Sequence, residues 1–121
     1  MKAVYWVEDC ALTPLAFTSE ENYLLIKEGQ TAVANQAKFS LNDKPFFASL
    51  FTEEQRIGLE DELLELRHTG AISVEQSNNL TWFETLCVLS VQEAVFNSKI
   101  DFSASKNLFI LSTTKGNIEL I

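Results

Sequence analysis

The chain has 121 residues, of which 46% are hydrophobic, enough for one packed domain and too many for a disordered chain. Its net charge is −8, and phosphate binding needs clustered Lys and Arg, so nucleic acid and anionic membrane surfaces are excluded as partners. The two cysteines, Cys10 and Cys87, lie far apart in the sequence, which predicts reduced thiols and a cytoplasmic protein. No segment approaches the roughly 18 apolar residues of a membrane span.

The first predicted element is a strand over residues 3–7, which are rich in β-branched and aromatic types. Because the run barely alternates, the strand is expected to be covered on both faces. Thr13-Pro14 then predicts a turn or an extended break.

Three capping-box patterns predict the starts of three helices. Each pattern is a Thr followed three residues later by Glu or Gln, and they begin at Thr18, Thr52 and Thr81. The predicted helices cover residues 19–28, 53–67 and 82–97. Gly29 and Gly70 stand just past the first two and are predicted to terminate them.

The segments between these helices are less clearly patterned. Residues 37–41 are compatible with a strand and residues 42–45 with a turn. An apolar cluster follows, and it is either core or a surface that awaits a partner. The cluster consists of Phe46, Phe47, Leu50 and Phe51. Residues 69–79 are polar and small, and they predict a loop.

The last third of the chain is the most apolar. The helix over 82–97 is hydrophobic on nearly every side, which is typical of a helix buried in a larger body or a subunit interface. Residues 108–111 predict a second buried strand. Residues 118–121 resemble the start of another helix that no Gly, Pro or basic turn ends, so we expect a truncated chain that needs further sequence.

The order of strands and helices predicts an α/β sheet with crossover helices. Three segments then resemble the opening of β-ketoacyl-acyl carrier protein synthases, which belong to the thiolase-like class. They are Cys10-Ala11-Leu12-Thr13-Pro14-Leu15-Ala16, the Leu-Ile-Lys-Glu-Gly ending of the first helix at Gly29, and the helix from Thr81 through Lys99-Ile100-Asp101 into Leu108-Phe109-Ile110-Leu111-Ser112-Thr113-Thr114-Lys115-Gly116. The resemblance covers about two thirds of residues 1–121, with residues 32–78 as a variable stretch.

The resemblance implies a partial thiolase-like fold, the N-terminal part of a layered α/β/α condensing-enzyme half. It implies an acyltransferase of fatty acid or polyketide-type synthesis, which holds an acyl group as a Cys thioester and condenses it with a malonyl carrier. The family's Cys and two His lie beyond the matching segments, so no catalytic residue is predicted within residues 1–121. The implied partners are an acyl carrier protein docked elsewhere, the remainder of the synthase, and a second subunit in a homodimer or heterodimer.

Individual reactive residues favour structural roles. Cys87 lies in an apolar helix, where burial raises a thiol pKa, and acidic neighbours disfavour a thiolate at Cys10. His68, the only histidine, ends a helix and suits its dipole. One His and two scattered Cys make no zinc pattern, so neither a metal nor a cofactor is predicted.

One loop remains a candidate site. In the resembled family the corresponding loop lies near the dimer interface and the acyl pocket, and α/β folds place ligands at such strand ends. A plain turn is the alternative. The candidate residues are Thr113, Thr114, Lys115, Gly116 and Asn117.

A second hypothesis is kept beside the enzyme. The chain could be a non-catalytic subunit, either chain-length-factor-like or an interaction domain. Such a subunit would bind its partner through the apolar helix 82–97 and the phenylalanine cluster.

Overall fold

The computed structural model describes Tyr5, residues 7–36, residues 46–101 and Ala104. These residues fall into two compact units. One unit is Cys10–Leu59, and the other joins the residues before Cys10 to those from Glu60 onward. Each unit is described by itself.

The described residues form a small mixed α/β structure of four helices and one two-stranded sheet. In chain order the elements are α1 (Ser19–Lys27), β1 (Val33–Asn35), β2 (Phe47–Ser49), α2 (Glu53–His68), α3 (Val74–Ser77) and α4 (Trp82–Ser98). The three helices predicted from capping patterns are therefore confirmed, with ends within one residue of those expected.

The caps form largely as the sequence predicts. At the start of α4 the Glu84 amide donates to the Thr81 hydroxyl at 3.3 Å, and the Thr81 amide donates to the Glu84 carboxylate at 2.8 Å. Thr52 and Gln55 make the same reciprocal pair at the start of α2. At α1 the Glu21 amide donates to the Thr18 hydroxyl, but the carboxylate accepts from that hydroxyl rather than from the backbone.

Gly29 ends α1 in the left-handed region, with a φ of +79°. Its amide donates to the Ile26 carbonyl, and the Gln30 amide donates to the Leu25 carbonyl, both at 2.9 Å. This pair of bonds is the Schellman arrangement, which satisfies carbonyls that the helix leaves open. Gly70, with a φ of +75°, ends α2 in a similar way, as predicted.

The apolar residues that the sequence places along α2, Ile57, Leu59, Leu63, Leu64 and Leu66, are only partly buried. Leu59 and Leu63 are buried and Leu66 is half-buried, a spacing of four and three residues that keeps them on one face. Ile57 and Leu64 lie on the opposite side and are exposed.

The helix α4 is less covered than its sequence suggests. Thr85 and Leu89 are buried, most of its other residues are half-buried, and Phe96 is 76% exposed. Burial of this helix in a larger body or a subunit interface stays a prediction.

The described residues contain a sheet that the sequence did not predict. It is an antiparallel pair in which Val33 faces Ser49, Ala34 faces Ala48 and Asn35 faces Phe47. The strand β1 was not predicted, because Val33–Asn35 is too short to show a period of two. Phe47 is 74% exposed on β2, so this member of the phenylalanine cluster is surface rather than core.

Of the predicted strand 3–7, only Tyr5 and Val7 are among the described residues, and both are exposed and lie in no strand. The predicted loop 69–79 needs correction, because it contains α3. The sequence at the start of α3, Ser73-Val74-Glu75-Gln76, is a fourth capping-box pattern. The predictions for residues 37–45 and 105–121 lie outside the described residues.

Candidate functional site

Asn22 is the centre of a cluster of hydrogen bonds in the unit Cys10–Leu59. It is the one buried residue of α1, with 6% of its surface exposed. Its side-chain amide donates to the backbone carbonyls of Ala11 at 2.7 Å, Ala16 at 2.9 Å and Thr18 at 2.8 Å. One side chain thus holds the segment before α1, residues 10–17, against the first turn of the helix. We call this segment the turn segment.

The Thr13 hydroxyl completes this cluster. It donates to the Asn22 side-chain carbonyl at 2.5 Å and accepts from the Leu15 amide at 3.1 Å. The Thr13 amide also donates to the Ala16 carbonyl at 2.9 Å, which closes a tight turn around Pro14. The turn predicted at Thr13-Pro14 is therefore confirmed. Its conformation is stabilised by the Thr13 side chain within it and by the Asn22 side chain of α1.

Gln55 ties the turn segment to α2. Its side-chain amide donates to the Pro14 carbonyl at 3.1 Å, while its side-chain carbonyl accepts from the Thr52 amide at 2.9 Å. The capping residue of α2 therefore also binds a segment 41 residues earlier in the chain. The rings of Phe17 and Phe51 pack nearby at a centroid distance of 6.5 Å.

An open groove lies between the turn segment and α1, with a volume of about 610 Å³. Its apolar walls are Leu15, Ala16, Phe17, Leu24 and Leu25. We call it the α1 groove. A volume of this size is typical of a binding cleft, and its mainly apolar lining with a few polar groups is typical too.

The polar groups of the α1 groove are Glu21, Glu28 and Gln55. The hydrogen bonds that the two carboxylates accept come from neutral groups, namely the Thr18 hydroxyl and the Gln30 side-chain amide. None of the groove-lining residues is basic. The groove therefore combines apolar walls with the negative charges of Glu21 and Glu28, which we call the rim carboxylates.

Neither Cys10 nor Cys87 forms a disulfide, and both are half-buried. Burial raises the pKa of the Cys87 thiol above its usual range, and the nearby Glu84 carboxylate raises it further. A nucleophilic thiol needs a lowered pKa, so this direction favours the structural role predicted for Cys87. The Cys10 thiol donates a weak hydrogen bond to the Phe17 carbonyl at 3.6 Å within the turn segment.

His68 is the last residue of α2 and is exposed, in the position that the sequence predicts for a cation at a helix end. Glu62, which lies in the same unit as Cys87, also has a raised pKa. Partial burial raises the pKa of its carboxyl, and the charges of Glu93 and Glu65 raise it further.

Asn22 and Gln55 are the residues that sequence reasoning missed. Gln55 carried a capping signal but no signal of its contact with Pro14, which depends on tertiary structure. Asn22 looked like a solvated position in a helix. The predicted candidate loop Thr113–Asn117 lies outside the described residues.

Over the described residues, no three acidic, His or Cys side chains are grouped so that they could hold a metal ion. In that same part of the chain, no helix has both the length and the apolar character needed to cross a bilayer. Neither a protein-family model, nor a curated protein, nor a solved structure matches this chain.

Proposed function

We propose that this chain is the N-terminal portion of a β-ketoacyl-acyl carrier protein synthase-like protein with a thiolase-like fold. The observation that carries the proposal is the set of three segments, quoted above, that resemble the opening of that family in the order the family has them. The most specific of these is the Ser112–Asn117 run at the end of the predicted strand 108–111.

The described residues support this proposal in the first two segments. The resemblance expects a Thr-Pro turn followed by a capped helix that ends in Gly. The turn around Pro14 and the helix α1 form, and Asn22 joins them through the Ala11 and Ala16 carbonyls. A turn held this firmly is suited to a role as part of a scaffold.

The third segment supports the proposal through α4. The helix begins after the Thr81 cap and ends at Ser98, with Lys99 as its C-cap residue just before Ile100-Asp101, as the resemblance expects. Its mixture of half-buried and exposed apolar residues leaves surface for further layers of a larger α/β body.

In this proposal the chain contributes scaffold and the chemistry lies downstream. An acyl group moves from its carrier to a Cys thiolate, and the enolate formed by loss of CO₂ from a malonyl carrier then attacks the thioester. Residues 1–121 supply none of the catalytic Cys or His of this reaction. Carrier docking falls elsewhere on the complete protein, because an acidic carrier suits a basic patch and this chain has a net charge of −8.

The test is an assay of the native protein from its source cell, isolated with an antibody raised to residues 1–121. We expect 3-oxoacyl-carrier and CO₂ to form from an acyl carrier and a malonyl carrier, and iodoacetamide to abolish both. The recombinant 121-residue chain is the control and should form neither product. Intact, folded native protein that yields no product with any acyl length would contradict the proposed synthase activity.

A second candidate is the non-catalytic subunit that binds a partner, chain-length-factor-like or otherwise. Exposed apolar residues on several described elements favour it, since isolated domains seldom leave so many large side chains in water. They include Tyr23, Ile26, Phe47 and Phe96. Native protein that co-purifies with an active synthase but lacks a reactive Cys of its own would favour this candidate over the first.

A further inference from the structure

We infer that the α1 groove is a docking site for a partner segment that presents apolar side chains flanked by Lys or Arg. The inference rests on the unit Cys10–Leu59 alone and does not depend on the condensing-enzyme proposal. Its basis is the apolar character of the walls, their rigidity and the two rim carboxylates.

The first argument is shape. Leu15, Ala16 and Phe17 form one wall and Leu24 and Leu25 form the other, around a volume of about 610 Å³. This space holds several aliphatic side chains. Leu24 is 47% exposed and Leu25 is half-buried, so the wall formed by α1 is accessible to a ligand.

The second argument is preorganisation. The wall formed by the turn segment is held by Asn22 through three carbonyls and by Gln55 through the Pro14 carbonyl. The other wall is a helix with a Schellman end at Gly29. A groove with both walls fixed loses little freedom when a ligand binds, which favours affinity.

The third argument is charge. Glu21 lies in the first turn of α1 and Glu28 is its C-cap residue, so the two carboxylates at the groove are seven residues, or about two helical turns, apart. The nearby cation Lys27 lies over the Tyr23 ring at 5.8 Å and does not line the groove. A partner with basic groups beside its apolar ones therefore complements the groove, whereas an acidic partner is repelled.

The test uses the 121-residue chain and two labelled helical peptides of about 14 residues, roughly four turns. Both peptides carry one Leu stripe, and their other positions are Lys in one peptide and Glu in the other. Fluorescence anisotropy should show saturable binding of the Leu/Lys peptide and at least tenfold weaker binding of the Leu/Glu peptide. Binding of the Leu/Lys peptide should weaken as salt rises, because rim charges are screened.

Variants locate the site. Glu21→Gln combined with Glu28→Gln should weaken Leu/Lys binding roughly fivefold, as expected for two exposed charge pairs. The control, Glu53→Gln combined with Glu54→Gln, removes the same charge from the exposed first turn of α2 and should leave binding unchanged. Leu24→Ser should abolish binding, whereas Ile26→Ser, on an exposed position outside the groove, should not.

Circular dichroism of each variant ensures that a loss of binding is compared at equal helix content. Equal binding of both peptides, equal effects of the groove and control variants, or no binding of either peptide would overturn the inference. Self-association that Leu24→Ser removes and that the Leu/Lys peptide does not displace would also overturn it, since the occupant would then be a second copy.

Discussion

At the scale of single residues, the Asn22 side chain makes hydrogen bonds to Ala11, Thr13, Ala16 and Thr18. It is a polar side chain in a buried position, and every polar atom of its amide has a partner. A buried polar group of this kind is costly when its partners are lost and stabilising when they are present. The turn segment, the helix α1 and the groove between them depend on it.

Replacement of Asn22 by Leu should lower the free energy of unfolding by about 2–4 kcal/mol, because buried carbonyls and the Thr13 hydroxyl lose their partner. Urea unfolding followed by circular dichroism measures this loss. Asn79→Leu, at an exposed position after α3, is the matched control and should change stability by less than about 0.5 kcal/mol. Equal effects of the two substitutions would contradict the role given to Asn22.

Glu62 predicts a pH dependence with a definite sign. Its folded-state pKa is raised, so its contribution to stability is fully present below the unfolded pKa and is lost as the pH rises through the folded pKa. Glu62→Gln should therefore raise the melting temperature at pH 7, and the gain should shrink as the pH is lowered below the usual carboxyl range. Thermal melts of both proteins across that range measure the difference, and a gain that grows at low pH would show the sign to be wrong.

Cys87 should react slowly at neutral pH. Because burial and then Glu84 raise its pKa, the thiolate that reacts is scarcer than in an ordinary Cys. In a Cys10→Ser background, the rate of iodoacetamide labelling should stay below that of a free cysteine peptide at pH 7 and rise at a higher pH than the peptide does. A faster rate than that of the peptide at pH 7 would contradict a structural role.

At the scale of elements, the helices are defined by their ends as much as by their apolar faces. Reciprocal caps start α2 and α4, and positive-φ glycines end α1 and α2. These features depend on neighbours within about four residues, which explains why the sequence alone predicted them.

The glycines of α1 and α2 give a matched pair of substitutions. Gly29→Ala should cost about 1 kcal/mol of stability, because its φ of +79° disfavours any side chain. Gly58→Ala should instead stabilise α2 by roughly 0.5–1 kcal/mol, since Gly58 is inside a helix and an added Cβ meets nothing within 4 Å. Urea unfolding of both variants should show opposite signs. A loss at both positions would mean that Gly58 is needed for a contact.

Faces were harder to predict than ends. Tyr23 and Ile26 are spaced as on one apolar face of α1, which predicts that they are buried. Both are 63% exposed, however, and the buried residue is Asn22. The reason is that the turn segment, not an apolar partner, covers the inner side of this helix, and its carbonyls select an amide. The periodicity of a sequence indicates where apolar residues are buried, but it does not indicate where a buried polar side chain is needed as a hydrogen-bond partner.

At the scale of the whole molecule, the mixed α/β class agrees with the prediction, although β1 and β2 are not among the predicted strands. The antiparallel pairing of β1 with β2 could not be predicted, since strands of three residues carry no pattern and their pairing depends on contacts 12 or more residues apart. The α1 groove could not be predicted either, because its turn-segment wall is held in place by tertiary hydrogen bonds of Asn22 and Gln55. Its rim charges were visible in the sequence but not their position.

We propose that these 121 residues belong to a larger condensing-enzyme-like protein. The most direct test is the intact mass of the protein isolated from its source cell with an antibody to this chain. We expect a mass near 40 kDa, roughly the size that a two-half α/β fold of more than about 250 residues requires. A mass of 13.6 kDa, that of these residues alone, would contradict it and leave partner binding as the function.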